Sequence, residues 1–139
     1  MKKISVIVPV YHGKQYIKPM LQQIEMAANR VFNEAKVELI FSNDAPDDEL
    51  ELQKSSVIDI IVVNTEINRG IHGARVHGLQ YATGEYVLFL DQDDKINETY
   101  FISQLKSIQD ADVAVCNIVH ENQGKYTRYN AQASERANQ

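Results

Sequence analysis

The sequence predicts an α/β domain built on a mostly parallel sheet with helices on both faces. Short apolar runs rich in Val and Ile recur along the chain. They alternate with segments whose apolar residues fall at helical spacing. The runs are continuous, with no polar residue at every second position, so both faces of each strand must be covered. Right-handed crossovers then give a Rossmann-like doubly wound sheet.

Residues 4–10, Ile4-Ser5-Val6-Ile7-Val8-Pro9-Val10, are the first strand. Residues 14–29 place Tyr16, Ile17, Met20, Leu21, Ile24 and Ala28 on one helical face. Residues 37–42 form the second strand, which ends on the turn-forming Asn43-Asp44-Ala45-Pro46. Residues 47–54 are acidic and polar, with Leu50 as apolar anchor, and predict a short helix. Residues 57–63 are the third strand and 64–70 a loop. A helix over 71–82 stops at Thr83-Gly84. Residues 86–90 give the fourth strand, 97–108 a helix with Tyr100, Phe101, Leu105 and Ile108 on one face, and 111–119 the fifth strand. Cys116 falls inside that last run and reads as a buried core thiol. From residue 121 no aliphatic side chain exceeds alanine, which predicts a domain over 1–120 and a flexible polar tail over 121–139.

The chain has 139 residues, 44% of them hydrophobic and 24% charged, with a net charge of −5. No basic stripe is present, which argues against a nucleic-acid surface. A single cysteine excludes an internal disulfide and suits a reducing compartment, so a cytoplasmic location is expected. The apolar start after Lys2-Lys3 superficially resembles a signal peptide, but it lacks a small-residue cleavage site and is interrupted by Pro9. No run approaches the roughly 20 apolar residues of a bilayer span. Membrane association would come through a longer parent or a partner.

Ligands of such sheets bind beyond the carboxyl ends of the strands. The first strand ends at Pro9-Val10-Tyr11 and the second at Asn43-Asp44. The third leads to Asn68-Arg69-Gly70 and a helix carrying Arg75; the fourth ends on Asp91-Gln92-Asp93-Asp94. Three carboxylates in four positions repel one another unless a cation lies among them. Hard divalent ions such as Mg²⁺ or Mn²⁺ take carboxylate oxygens and share them with phosphate. Asp44 is suited to accept a hydrogen bond from a base N–H, and Arg75 offers a fork of donors for phosphate or a base carbonyl. Together these groups suit a nucleoside diphosphate. Neither a P-loop nor a GxGxxG dinucleotide fingerprint is present. His72 and His77, five apart, do not make a metal site.

Four linked motifs carry a family resemblance: residues 4–11 as an opening strand, Asn43-Asp44, Asn68-Arg69-Gly70 with Ala74-Arg75 and Gly78-Leu79, and Thr83-Gly84-Glu85-Tyr86 through Asp91-Gln92-Asp93-Asp94. Over residues 4–119 the chain resembles family 2 glycosyltransferases of the GT-A type. The resemblance implies that Pro9 and Tyr11 line the base pocket, Asp44 binds the base (often uracil), and Arg75 lies near base or diphosphate. It makes Asp93 the main metal ligand and puts Asp91 on ribose or metal. It further implies an inverting, metal-dependent transfer from a nucleotide-diphosphate sugar, UDP-sugar first among them, to a hydroxyl of a glycan, lipid or other acceptor. Asn43 and Ala45-Pro46 depart from the family's Asp-Asp-Gly-Ser turn, and Val76 replaces an asparagine, which opens the nucleotide identity. The family's acceptor-binding half, with its base carboxylate, is expected beyond Gln139, so this chain is read as the donor-binding half. A catalytically incomplete nucleotide-binding or interaction module is the alternative. A nucleotidyltransferase would need a Gly-rich basic loop where Tyr11-His12-Gly13-Lys14 stands. A signalling receiver would need acids at Pro9-Val10-Tyr11.

Overall fold

The computed structural model describes residues 1–129 and separates the chain into two compact units, Met1–Ile102 and the residues from Ser103 onward. The first unit carries a four-stranded sheet of order β3-β2-β1-β4, parallel throughout: β1 (Lys2–Val10), β2 (Ala35–Asn43), β3 (Asp59–Asn64) and β4 (Tyr86–Phe89). Helix α1 (Lys14–Asn29) joins β1 to β2, and α2 (Gly70–Leu79) lies between β3 and β4. Helix α3 (Tyr100–Ile108) begins as this unit ends, with Phe101 fully buried.

The continuous apolar runs are explained by burial on both faces. In β1 every residue from Ile4 to Val10 is buried, and β2 is buried from Val37 to Asn43. Ile7 and Ile40 are register partners, and with Val63 they form one patch of core. Helix α2 covers this face closely because Gly78 has no side chain. A Cβ there would stand 2.8 Å from Ile7 Cγ2 and 3.3 Å from Ser42 Cβ. The Ser42 hydroxyl donates to the Ala74 carbonyl at 2.7 Å, which pins the helix to β2. Helix α1, in contact with β2, buries Ile17, Met20, Leu21 and Ile24. The buried side chains of Val6, Val8, Leu39 and Phe41 occupy the face opposite Ile7 and Ile40.

Two expected elements are absent and one is new. Residues 47–54 form a turn and irregular chain, not a helix, yet Leu50 is buried as an anchor. Their acids are drawn to side-chain partners instead: Asp48 pairs with Lys14 at 2.9 Å and lies 3.3 Å from His12. Residues 111–117 are irregular, so the fifth parallel strand is not formed, and Val113 and Val115 are largely exposed. Cys116 is consequently half-buried, not a core thiol. In the second unit β5 (Ile118–Asn122) pairs antiparallel with β6 (Lys125–Tyr129), where a polar tail was expected from residue 121. The turn is made by Gln123 and Gly124, at φ 49° and 76°. Two consecutive positive φ values are what a two-residue hairpin requires. The division at residue 102 also differs from the expected boundary at 120. The rest of the expected tail, 130–139, lies outside the described residues.

Candidate functional site

The carboxyl ends of β1, β2 and β4 and the start of α2 converge on one cavity of about 400 Å³, a volume within the range of small-molecule sites. Its walls are Pro9, Val10 and Tyr11 after β1, Asp44 after β2, Asn68, Gly70, Ile71 and Ala74 around the start of α2, and Asp91, Gln92 and Asp93 after β4.

Asp44 is 3% exposed. Its N–H donates to the Val10 carbonyl at 2.8 Å, one step beyond the β1–β2 ladder. Its Oδ1 accepts from the Thr65 hydroxyl at 2.9 Å and from the Arg69 N–H at 2.8 Å. One carboxylate oxygen therefore holds the 65–69 loop against β2. Among the described residues no hydrogen bond engages Oδ2. Asn43 shapes the same corner: its amide donates to the Asp48 carbonyl and to Asn64 Oδ1, both at 3.1 Å, and its Oδ1 accepts from Ala45 N–H at 3.2 Å.

The acids after β4 form a closed turn. Asp94 N–H donates to the Asp91 carbonyl at 3.0 Å, and Asp91 N–H donates to Asp94 Oδ2 at 2.8 Å. Arg75 Nη2 donates to Asp91 Oδ1 at 2.9 Å. Arg75 Nη1 lies 3.5 Å from His72 Nδ1, and its Nε is buried without a partner among the described residues. Asp93 is exposed. The Asp94 carboxyl is raised above the usual aspartate range, first by desolvation and then by the charges of Asp91 and Asp93. The Asp91 N–H and the Arg75 charge oppose that rise and do not cancel it. Among the described residues no three His, Cys, Asp or Glu side chains converge as a complete metal cage.

Of the residues singled out in the sequence, Pro9, Tyr11, Asp44, Asp91 and Asp93 line the cavity. Arg75 does not line it but reaches it through Asp91. Asn68 and Gly70 belonged to a recognised motif and are lining residues. Thr65 and Gln92 were missed. Thr65 is a polar residue just past a strand end, a weak signal that turned out to mark a 2% exposed side chain.

This arrangement has relatives. The chain is 32% identical over 128 residues to the glycosyltransferase GlyA of Streptococcus pneumoniae, covering 88% of this chain and 18% of GlyA. It is 34% identical over 102 residues to the poly(ribitol-phosphate) beta-N-acetylglucosaminyltransferase TarS of Staphylococcus aureus, covering 70% of this chain and 17% of TarS. The solved structure of S. aureus TarS 1-349 in complex with UDP matches the fold with a TM-score of 0.59 at 27% identity, over 78% of this chain and 32% of that one. The same protein in complex with UDP-GlcNAc gives 0.57 at 25% identity. This chain spans less than a fifth of the length of these two curated relatives. The α/β sheet is thus that of the GT-A glycosyltransferases. The sequence profile described as Glycosyl transferase family 2 matches residues 5–139, nearly the whole chain, and it is to this family that the chain belongs.

Proposed function

We propose that this chain forms the donor site of an inverting glycosyltransferase that moves a sugar from UDP-sugar to a hydroxyl of a glycan, lipid or other acceptor. One observation carries the reading: residues from three strand ends, far apart in sequence, line one cavity that brings Asp44 together with Asp91 and Asp93. TarS, of similar fold, is solved with UDP and with UDP-GlcNAc. In this reading Asp44 Oδ2 accepts from the base N–H, while Pro9 and Tyr11 form the walls beside the base. Arg75 holds Asp91 in place and brings its positive charge to the diphosphate side. The acceptor oxygen bonds to the anomeric carbon as the bond from that carbon to the diphosphate oxygen breaks. The proton acceptor for the hydroxyl is assigned to no residue of this chain.

The residues fit Mn²⁺ or Mg²⁺. Such ions are commonly held by one or two carboxylates, the remaining positions falling to substrate phosphates and water. Asp93 and Asp91, which both line the cavity, would supply the carboxylates. Held there, such an ion would supply positive charge to the diphosphate leaving group. Cytoplasmic placement, directly or at the membrane face through a partner, belongs to the same proposal. The second reading is a catalytically incomplete nucleotide-binding or interaction module of the same fold, which needs no metal at Asp91 and Asp93; among the described residues no three His, Cys, Asp or Glu side chains form a metal-holding group.

Calorimetric titration of UDP with and without Mn²⁺ tests the donor site. Binding should require the metal, and Asp93→Ala should weaken it by about 100-fold with the melting temperature unchanged. Metal-independent UDP binding that Asp93→Ala leaves intact would move the cation elsewhere and favour the second reading.

A further inference from the structure

We propose that Gln92, the middle residue of the acid motif, is a positioning residue that couples the base side of the donor site to its diphosphate side. The inference rests on the donor-site reading above. The Gln92 side-chain amide meets the Tyr11 backbone on both of its polar groups. Oε1 accepts from Tyr11 N–H at 3.0 Å, and Nε2 donates to the Tyr11 carbonyl at 3.4 Å. The β1–β4 ladder ends at Ile7 and Phe89, with a last bond from Leu90 N–H to the Ile7 carbonyl. Beyond that point no register pair joins the two strands, and the Gln92 amide links the segments that follow them with a rung of its own.

The backbone around Tyr11 accommodates this rung. A Cβ on Gly13 would stand 2.1 Å from Gln92 Oε1 and 2.8 Å from its Cδ, so only glycine leaves the amide where it is. The Tyr11 ring lies edge-on to His12, with centroids 4.5 Å apart, and His12 takes a left-handed backbone at φ 47°. Gln92 therefore joins Tyr11 to the turn that presents Asp91 and Asp93. The contact is exposed, so its loss costs the fold little. Its consequence falls on a ligand that needs both sides at once: pre-arranging the two walls removes an ordering cost from binding.

The test titrates the full chain, at fixed Mn²⁺, with UDP, with uridine and with pyrophosphate. Gln92→Ala should lower UDP affinity about tenfold, a coupling of ordinary size, while uridine and pyrophosphate each stay within about twofold and the melting temperature holds. Gly13→Ala, which lies outside the cavity lining, should displace the same amide and give the same loss. The double variant should be no worse than either single one. Full UDP affinity in Gln92→Ala overturns the inference, as do additive losses in the double variant or a proportional loss of both fragments. Failure of the wild-type chain to bind UDP overturns the donor-site reading itself, and the coupling with it.

Discussion

Two carboxylate sites on the same sheet have opposite fates. In the amino-terminal half, Glu38 is 8% exposed and fully engaged. It accepts from the Ser5 hydroxyl at 2.5 Å, the Thr83 N–H at 2.6 Å and the Thr83 hydroxyl at 3.0 Å, and it pairs with Lys3 at 3.3 Å. Ser5 Oγ in turn accepts from Gly84 N–H at 2.8 Å, so β1, β2 and the entry to β4 share one network. Burial pushes the Glu38 carboxyl up, but its hydrogen bonds together prevail and hold it below its ordinary value. At the carboxyl ends, Asp91 has one guanidinium, Asp93 stands exposed, and the Asp94 carboxyl is raised. A carboxylate whose bonding capacity is filled by its own chain serves the fold. One left underfilled is available to something else.

Removing Glu38 tests the first half of that contrast and has the largest expected effect. Glu38→Ala strands the buried Ser5 hydroxyl and removes both bonds to the exposed Thr83, which costs about 2 kcal/mol; chemical denaturation measures it. Because the folded carboxyl titrates below the ordinary glutamate value near 4.5, its stabilisation is present above that pH. It is lost as pH falls through the lowered folded value. Glu38→Gln, at lower stability throughout, should show a flatter acid limb than wild type. An acid limb that is equally steep in both would assign the loss to other carboxylates.

Thr65→Val probes a site of intermediate character. Asp44 Oδ1 loses one of its two donors while Oδ2 is untouched. About 1 kcal/mol of stability should go, and UDP binding should weaken only a few-fold. A change of UDP affinity as large as that of Asp93→Ala would mean that Thr65, not Asp44, carries base recognition.

The engaged and underfilled sites were unequally legible in the sequence. β1 and β2 were visible because residues buried on both faces leave continuous apolar runs; the edge strands β3 and β4 carry equally continuous runs although Ile61, Val87 and Phe89 are exposed. The acids after β4 were visible because charge directly after such a run is conspicuous. Glu38 was hidden, since a single acid inside a strand does not announce three donors from positions 5 and 83. Gln92 was hidden for a related reason: its partner is 81 positions away, and an amide between aspartates has no signature of its own. Residues 111–119 show the converse. Their composition is that of a buried strand, but a strand forms only with a neighbour to pair with. The hairpin pairing begins at Ile118, where the turn at Gln123-Gly124 supplies one. Asp44 lines the cavity, although half its carboxylate works on the protein's own loop.

The smallest expected effect distinguishes a charge reserve from a structural cap. The Asp94 carboxyl is raised, so above the ordinary aspartate value its ionised form is disfavoured by the fold. That penalty is relieved as pH falls through the raised folded value toward the ordinary 3.8. Asp94→Asn removes the charge and can keep an oxygen for the Asp91 N–H, now 2.8 Å from Oδ2. At pH 7 the variant should therefore be slightly more stable than wild type, by roughly a few tenths of a kcal/mol once solvent screening of an exposed side chain is counted. The gain should vanish as pH approaches 4. Mn²⁺ with UDP should then raise the melting temperature of wild type more than that of the variant, because a cation relieves repulsion the variant no longer has. If Asp94→Asn is instead less stable at pH 7, the third acid is a cap required by the turn, and the surplus charge at this end of the sheet reduces to Asp91 and Asp93.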